Sequence, residues 1–186
     1  MAPSPIAAIQ TDLHRSVVSL IGLPGCGKSA IGKEVARRLE IPFVDSDRVI
    51  EGSAGCTIAS LFEQEGEAAF REREAAVLAS LVAAGPSVVA TGGGAVLRSD
   101  NRDLLRTRTV CVFLHAGHDQ LWRRLRRDRR RPLLQVPDPE ARLRALAEER
   151  EPLYRETAHI VVATEGLPFG RLVDEVVRRV AAEGER

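Results

Sequence analysis

Eight consecutive residues, Gly22 to Ser29, have the types and spacing that bind phosphate. They read Gly-Leu-Pro-Gly-Cys-Gly-Lys-Ser and match a glycine, four residues, and then Gly-Lys-Ser or Gly-Lys-Thr. Glycines allow a sharp turn that aims backbone N–H groups into one concavity. Lys28 can reach the outer phosphates of a nucleotide, and the Ser29 hydroxyl can bind Mg²⁺. The alternative is a glycine turn that carries a lysine by chance.

The segments on either side of this loop favour phosphate binding. The apolar run 16–21 predicts a buried strand that leads directly into it, and residues 30–39 predict a helix that leads directly out. A helix N-terminus adds partial positive charge, which attracts an anion. A strand, a glycine-rich loop and a helix in this order form the context that a phosphate-binding loop requires.

Two aspartates, Asp45 and Asp47, follow the short apolar run 41–44. Phosphoryl transfer needs a carboxylate near Mg²⁺, and the other predicted strands end in glycines or in His115. One aspartate could hold or orient the metal, and the other could accept a hydrogen bond from a substrate hydroxyl. On an extended strand end the two side chains would alternate. The alternative is that an aspartate, Asp47 above all, only caps the next helix.

Three glycines, Gly92 to Gly94, follow the apolar run 87–90, which predicts another buried strand. A segment without side chains can offer either steric access or backbone N–H groups to an oxygen-rich ligand. The alternative is a plain tight turn into the next helix. Three consecutive glycines cost more backbone entropy than a turn requires, which favours a ligand contact.

Arg71 lies early in a predicted helix, on the same face as Glu67 and Glu74 because of their spacing. From the residues alone, a solvent-facing helix surface is the favoured interpretation. A planar guanidinium near a binding crevice would instead suit a carboxylate ligand.

The segment Trp122 to Arg131 contains seven arginines and one aspartate. The run is short, it holds a single aromatic residue, and the whole chain carries a net charge of only +1, so nucleic-acid binding is not favoured. We expect a segment that closes over phosphates and excludes water. Arg131 is the candidate within it, because Pro132 restricts its backbone.

The chain as a whole predicts an α/β protein. Its short apolar strands alternate with helices, which is typical of a parallel sheet covered on both faces. In such a sheet ligands lie beyond the carboxyl ends of the strands, so the loop, the aspartates and the glycines should meet in one crevice. With 186 residues, 44% of them hydrophobic, we expect one domain, with residues 1–15 as a tail and a lid at about 124–138.

Composition also predicts where the protein works. No apolar run approaches the roughly 20 residues of a membrane span, and the first residues do not resemble a signal peptide. The cysteines, Cys26, Cys56 and Cys111, lack metal-binding spacing and indicate a reducing compartment. We therefore expect a cytoplasmic monomer with small-molecule partners and neither a membrane nor a nucleic-acid partner.

Taken together, these motifs resemble the shikimate kinase family, from about Val17 to Val180. The motifs that carry the resemblance are Gly22 to Ser29, Asp45-Ser-Asp47, Phe70-Arg71 with Glu74, Gly92 to Gly94, Arg131-Pro-Leu-Leu134, and Arg150-Glu-Pro-Leu-Tyr154. The resemblance implies a three-layer α/β/α P-loop kinase with a five-stranded parallel sheet, strand order 2-3-1-4-5, and a mobile lid. It also implies transfer of the γ-phosphoryl group of ATP, with Mg²⁺, to the 3-hydroxyl of shikimate, a step towards aromatic amino acids.

The resemblance assigns a role to each motif. Asp47 would hold the shikimate hydroxyls, and Arg71 and Arg150 would bind its carboxylate beside the Gly93 backbone. Arg124 and Pro168 would border the adenine. The predicted catalytic residues are Lys28, Asp45 and Arg131, and the predicted metal ligands are Ser29 and Asp45. The predicted ATP-binding residues are Gly25, Cys26, Gly27, Lys28, Ser29, Ala30, Arg124, Arg131 and Pro168. The predicted substrate-binding residues are Asp47, Arg71, Gly92, Gly93, Gly94 and Arg150.

Two other functions fit part of the pattern. A different small-molecule kinase, such as a gluconate or nucleoside-monophosphate kinase, would share the phosphate loop but would not need the pair Arg71 and Arg150. A non-catalytic nucleotide-binding module would not need Lys28, Ser29 and Asp45 together.

Overall fold

A computed structural model of the chain describes residues 17–126 and 136–184. The predicted tail, the central part of the predicted lid, and Arg131 lie outside the described residues. The strands are β1 (Val17–Ile21), β2 (Phe43–Asp45), β3 (Val88–Ala90), β4 (Thr109–His115) and β5 (Ile160–Ala163). The α-helices are α1 (Lys28–Leu39), α2 (Ser46–Ala54), α3 (Ile58–Ala83), α4 (Ser99–Arg108), α5 (His118–Leu125), α6 (Pro139–Thr157) and α7 (Phe169–Gly184). A 3-10 turn covers Ala95–Leu97.

The five strands form one parallel sheet in the order β2-β3-β1-β4-β5, which confirms the predicted fold class and strand order. The central strand β1 pairs with β3 through Leu20 and Ala90, and with β4 through Leu20 and Val112. Every residue of β1 is buried. A parallel sheet with helices on both faces has this property, and it explains why β1 reads as a continuous apolar run.

Helix α3 is interrupted at Gly66. This glycine has φ of 80° and ψ of 171°, which is not helical. A β-carbon there would meet nothing within 4 Å, so the break arises from backbone conformation rather than from crowding. Residues on both sides of the break pack with α2 in a small cluster, formed by Ile50, Leu61 and Phe70, that is separate from the main core.

One predicted boundary differs from the structure. Helix α1 begins at Lys28, two residues earlier than predicted, so Lys28 and Ser29 both lie in its first turn. Helix α6 continues through Pro152 without a break. Within the described residues, no helix is both long and apolar enough to cross a membrane.

Candidate active site

The loop between β1 and α1 has the backbone conformation that its glycines predict. Gly22, Gly25 and Gly27 have backbone φ angles of 142°, 81° and 105°, values that residues other than glycine rarely adopt. The Lys28 ammonium lies over the loop and donates hydrogen bonds to the carbonyls of Gly22 at 2.7 Å and Leu23 at 3.1 Å. The cation is therefore held at the concave backbone where phosphates are expected to bind.

The two predicted metal ligands contact each other. The Ser29 hydroxyl donates to a carboxylate oxygen of Asp45 at 2.7 Å. Among the described residues, no cluster of three or more His, Cys, Asp and Glu side chains could hold a metal ion without help. A hydroxyl and a carboxylate are hard oxygen donors, and Mg²⁺ is commonly held by one or two such groups together with substrate phosphates. The residues present therefore fit Mg²⁺.

The two aspartates do not alternate along an extended strand end. Strand β2 ends at Asp45, and α2 begins at the next residue, so Asp47 lies in the first turn of a helix. No side-chain hydrogen bond caps this helix, which removes the capping alternative. Because the strand ends at Asp45 and the helix begins at Ser46, the extended backbone on which alternation depends ends two residues before Asp47.

Asp47 is held in an environment that disfavours its charge. Burial raises its pKa from 3.8 to about 6, while Lys28 opposes the rise and the nearby carboxylates of Asp45, Glu74 and Glu51 add to it. A carboxyl group tuned in this way is typical of a functional crevice. It can accept a hydrogen bond from a hydroxyl and, near neutral pH, can exchange a proton.

Neighbouring atoms of the protein leave no room for a β-carbon at any of the three positions of the glycine run. A β-carbon on Gly92 would lie 2.7 Å from a carboxylate oxygen of Asp47, and one on Gly94 would lie 2.5 Å from Nη2 of Arg71. A β-carbon on Gly93 would lie 2.9 Å from Pro24 of the phosphate loop. The run thus lies where the strand ends converge, and it accommodates the side chains packed around it. Its glycines do not adopt positive φ, so the requirement is one of space.

Arg71 is buried, which contradicts the solvent-facing interpretation that its sequence spacing favoured. Only 8% of the residue is exposed. Its guanidinium donates to Glu74 at 2.7 Å and to Glu67 at 3.1 Å. Spacing within a helix shows which residues share a face but not which face the fold buries, and here the glycine run covers it.

Arg150, in α6, approaches the glycine run from the other side. It is 3% exposed, and its Nη1 donates to the carbonyl of Gly93 at 3.2 Å. Its Nε is buried and has no hydrogen-bond partner among the residues that the structure describes, although a carboxylate oxygen of Glu149 lies 3.7 Å away. Burial raises the pKa of Glu74, and Arg71 and then Arg150 oppose that rise, which places both guanidinium groups near one carboxylate.

Of the two residues predicted to border adenine, Arg124 contacts the phosphate loop and Pro168 lies in the loop before α7. Arg124 of α5 donates to the carbonyl of Gly25 at 3.0 Å. Pro168 lies immediately before α7. In the loop that precedes it, Glu165 accepts a hydrogen bond at 3.0 Å from the N–H of Gly117, the residue before α5. Both residues are exposed.

Three contacts of the site were not predicted as such. The Ser46 hydroxyl accepts a hydrogen bond from the Gly92 N–H at 3.1 Å, Glu74 holds Arg71, and the Tyr154 hydroxyl donates to the Gly93 carbonyl at 2.5 Å. Two of them carried a signal in the sequence. Glu74 follows Arg71 by three positions and Tyr154 follows Arg150 by four, and such pairs share a helix face.

The fold and these contacts define the class, a P-loop kinase with a phosphate-binding loop and a charged acceptor site beside it. The model of the family described as shikimate kinase matches residues 24–181. A shikimate kinase from Burkholderia pseudomallei is 49% identical over 173 residues, which cover 93% of this chain and 94% of that protein. The chain belongs to the shikimate kinase family, which confirms the resemblance seen in the sequence and the prediction that it is an enzyme of this family.

Solved structures agree with this assignment. The structure of a shikimate kinase from Acinetobacter baumannii in complex with shikimate has a TM-score of 0.88 and 38% identity, covering 96% of this chain and 98% of that one. A gluconokinase from Sinorhizobium meliloti reaches a TM-score of 0.57 at 21% identity, covering 93% of this chain and 95% of that one, which shows a shared fold alone.

Proposed function

We propose that this chain transfers the γ-phosphoryl group of ATP to the 3-hydroxyl of shikimate. The observation that carries the proposal is the pair of buried arginines, Arg71 and Arg150, on the two sides of the Gly92–Gly94 run. Glu74 and Glu67 already partner Arg71, but the buried Nε of Arg150 has no hydrogen-bond partner among the described residues. A buried guanidinium costs desolvation energy unless anions partner it, and a carboxylate matches its planar donors. The acceptor should therefore be a small acid.

Two kinds of contact would recognise this acid, namely guanidinium groups for its carboxylate and a hydrogen-bond acceptor for its hydroxyls. The unpartnered Nε of Arg150 is a donor ready for a carboxylate oxygen, and Glu74 fixes the direction of Arg71. Asp47 is within reach of the glycine run and supplies an acceptor for hydroxyl groups. A ligand with a carboxylate at one end and hydroxyls at the other, such as shikimate, uses both.

The donor nucleotide occupies the other side of the crevice. Residues 25–30 would surround the phosphates with N–H groups, and Lys28 would bind their outer oxygens. Arg124 and Pro168 would border the adenine. Arg131 would contact the transferring group from the lid, and that role rests on the family resemblance because Arg131 lies outside the described residues.

Ser29 and Asp45 would hold Mg²⁺ together with phosphate oxygens. An Mg²⁺ ion held by these two residues would supply positive charge that offsets the negative charge developing on the transferring group. The chain's own residues then position the reactants. Lys28 holds the phosphates, Asp47 orients the attacking hydroxyl and can accept its proton, and the arginines prevent the acid from turning. Positioning and charge stabilisation account for most of the rate in such transfers.

We also propose, from the sequence, that the chain is a single domain with a closing lid. On the same basis it works as a cytoplasmic monomer, with small molecules as partners and without nucleic acid or a membrane. These proposals follow from composition and charge balance.

Release of ADP, coupled to a spectrophotometric readout, tests the acceptor. We expect turnover with shikimate at a kcat/KM at least about 100-fold above that for gluconate or AMP, because neither provides a ring-bound carboxylate between the arginines. The control is the same reaction without an acceptor, which measures hydrolysis of ATP by water. Absence of turnover with shikimate, or equal turnover with gluconate, would contradict the proposal.

A further inference from the structure

Tyr154 is a buried polar side chain that the proposed mechanism does not use. It is fully buried in α6, and its ring stacks on Phe113 of β4 with centroids 5.0 Å apart. Its hydroxyl donates to the carbonyl of Gly93 at 2.5 Å, the same oxygen that accepts from Arg150 at 3.2 Å. One carbonyl therefore links the glycine run to two side chains from consecutive turns of one helix.

The other polar groups of the glycine run are partly committed. The Gly92 N–H donates to Ser46, and the Gly92 carbonyl accepts from the N–H of Ala95 at 3.2 Å. Within the described part of the chain, the N–H groups of Gly93 and Gly94 donate to no protein acceptor. These are the two donors that the run can offer to a ligand.

Peptide geometry connects the Tyr154 hydrogen bond to one of those donors. The Gly93–Gly94 peptide is trans, so its carbonyl and the Gly94 N–H lie in one plane and point in opposite directions. A carbonyl fixed towards Tyr154 therefore fixes the direction of the Gly94 N–H. Gly94 itself lies against the guanidinium of Arg71.

We infer that Tyr154 is a positioning residue for the acceptor's carboxylate, acting by fixing the Gly93–Gly94 peptide and sharing its carbonyl with Arg150. The inference rests on the proposed function. Without the hydroxyl, Arg150 becomes the sole side-chain donor to the Gly93 carbonyl, and its guanidinium is drawn away from the ligand. The peptide plane also gains freedom to tilt.

The effect should not depend on pH in the working range. Burial raises the pKa of the Tyr154 hydroxyl well above its ordinary value. The hydroxyl therefore remains a donor from about pH 6 to about pH 9, and the phenotype of its removal should be the same throughout.

The test compares Tyr154→Phe with Thr157→Val in steady-state kinetics. Tyr154→Phe should raise KM for shikimate about five- to tenfold, leave kcat within about twofold, and leave KM for ATP unchanged, because one hydrogen bond that orders the ground state is lost. Thr157→Val removes another buried hydroxyl of α6, one that donates to the Leu153 carbonyl, and should leave both KM values unchanged.

The methyl ester of shikimate separates positioning from a merely structural role. If Tyr154 acts through the carboxylate site, the ratio of KM values between Tyr154→Phe and the parent enzyme should fall to about two or less with the ester. A ratio for the ester equal to that for shikimate would overturn the inference. A KM for shikimate in Tyr154→Phe equal to that of the parent enzyme would also overturn this inference, and it would leave the proposed function intact. A parent enzyme that leaves shikimate unphosphorylated would overturn the proposed function, and this inference with it.

Discussion

Asp47 shows how a single residue of the site opposes the stability of the fold. Its pKa rises to about 6, chiefly through burial, whereas in the unfolded chain it ionises near 3.8. The folded protein therefore binds a proton that the unfolded chain has released between these values, and stability falls as the pH rises through that window.

Replacement of Asp47 by Asn should remove that pH dependence. At about pH 7 we expect Asp47→Asn to be more stable than the parent by roughly 2 kcal/mol, with little difference at about pH 3, where the carboxyl group is mostly protonated in both states. Urea unfolding of both proteins without ligands, at a series of pH values, measures the difference. A stability difference that stays constant with pH would show that the burial of Asp47 is not the cause.

The sequence predicted some residues of the site well and others poorly, for a common physical reason. Lys28 and Ser29 were assigned from the motif. The residues left the metal ligand open between Asp45 and Asp47, and the family resemblance selected Asp45, which contacts Ser29 in the structure. Arg71 was misjudged from spacing alone, because local periodicity carries no information about which distant segment covers a helix face. Only the family resemblance assigned Arg71 and Arg150 to the carboxylate of the acceptor.

At the scale of elements, the glycine run determines how closely the acceptor site is packed. Side chains from α2 and α3 reach the run where β-carbons would otherwise stand. The sequence favoured a ligand contact over a tight turn on entropic grounds. The structure adds a steric requirement for glycine at these positions. A sequence pattern could not reveal it, because the crowding atoms come from α2, α3 and the phosphate loop.

Gly94→Ala tests this steric requirement. The added methyl group would lie 2.5 Å from Nη2 of Arg71, and Glu74 restricts how far the guanidinium can withdraw. We expect KM for shikimate to rise at least about tenfold with affinity for ADP unchanged. Gly52→Ala is the matched control, since its β-carbon meets nothing within 4 Å and alanine favours the helix by about 0.5–1 kcal/mol. A parental KM in Gly94→Ala would show that Arg71 is not held where the structure places it.

At the scale of the whole molecule, the sheet was the most predictable feature. Buried parallel strands are continuous apolar runs, and the predicted runs 16–21 and 87–90 correspond to β1 (Val17–Ile21) and β3 (Val88–Ala90). The strand order was available only from the family resemblance, since hydrophobic pattern does not say which strands are neighbours. The start of α2 directly at Ser46 was missed because strand and helix follow each other without turn residues to mark the boundary.

The whole account depends on one arrangement, in which the sheet brings a phosphate loop and a buried arginine pair to the same crevice. Isothermal titration of shikimate into Arg71→Ala in the presence of ADP tests it most directly. Arg73→Ala is the control, because Arg73 lies on the same helix and pairs with Glu65 at 3.0 Å.

We predict that Arg71→Ala weakens shikimate binding at least about tenfold, the loss expected for a charge-assisted hydrogen-bond pair. It should leave ADP affinity at the parental value, whereas Arg73→Ala should change neither. Shikimate affinity equal to that of the parent enzyme in Arg71→Ala would contradict the account.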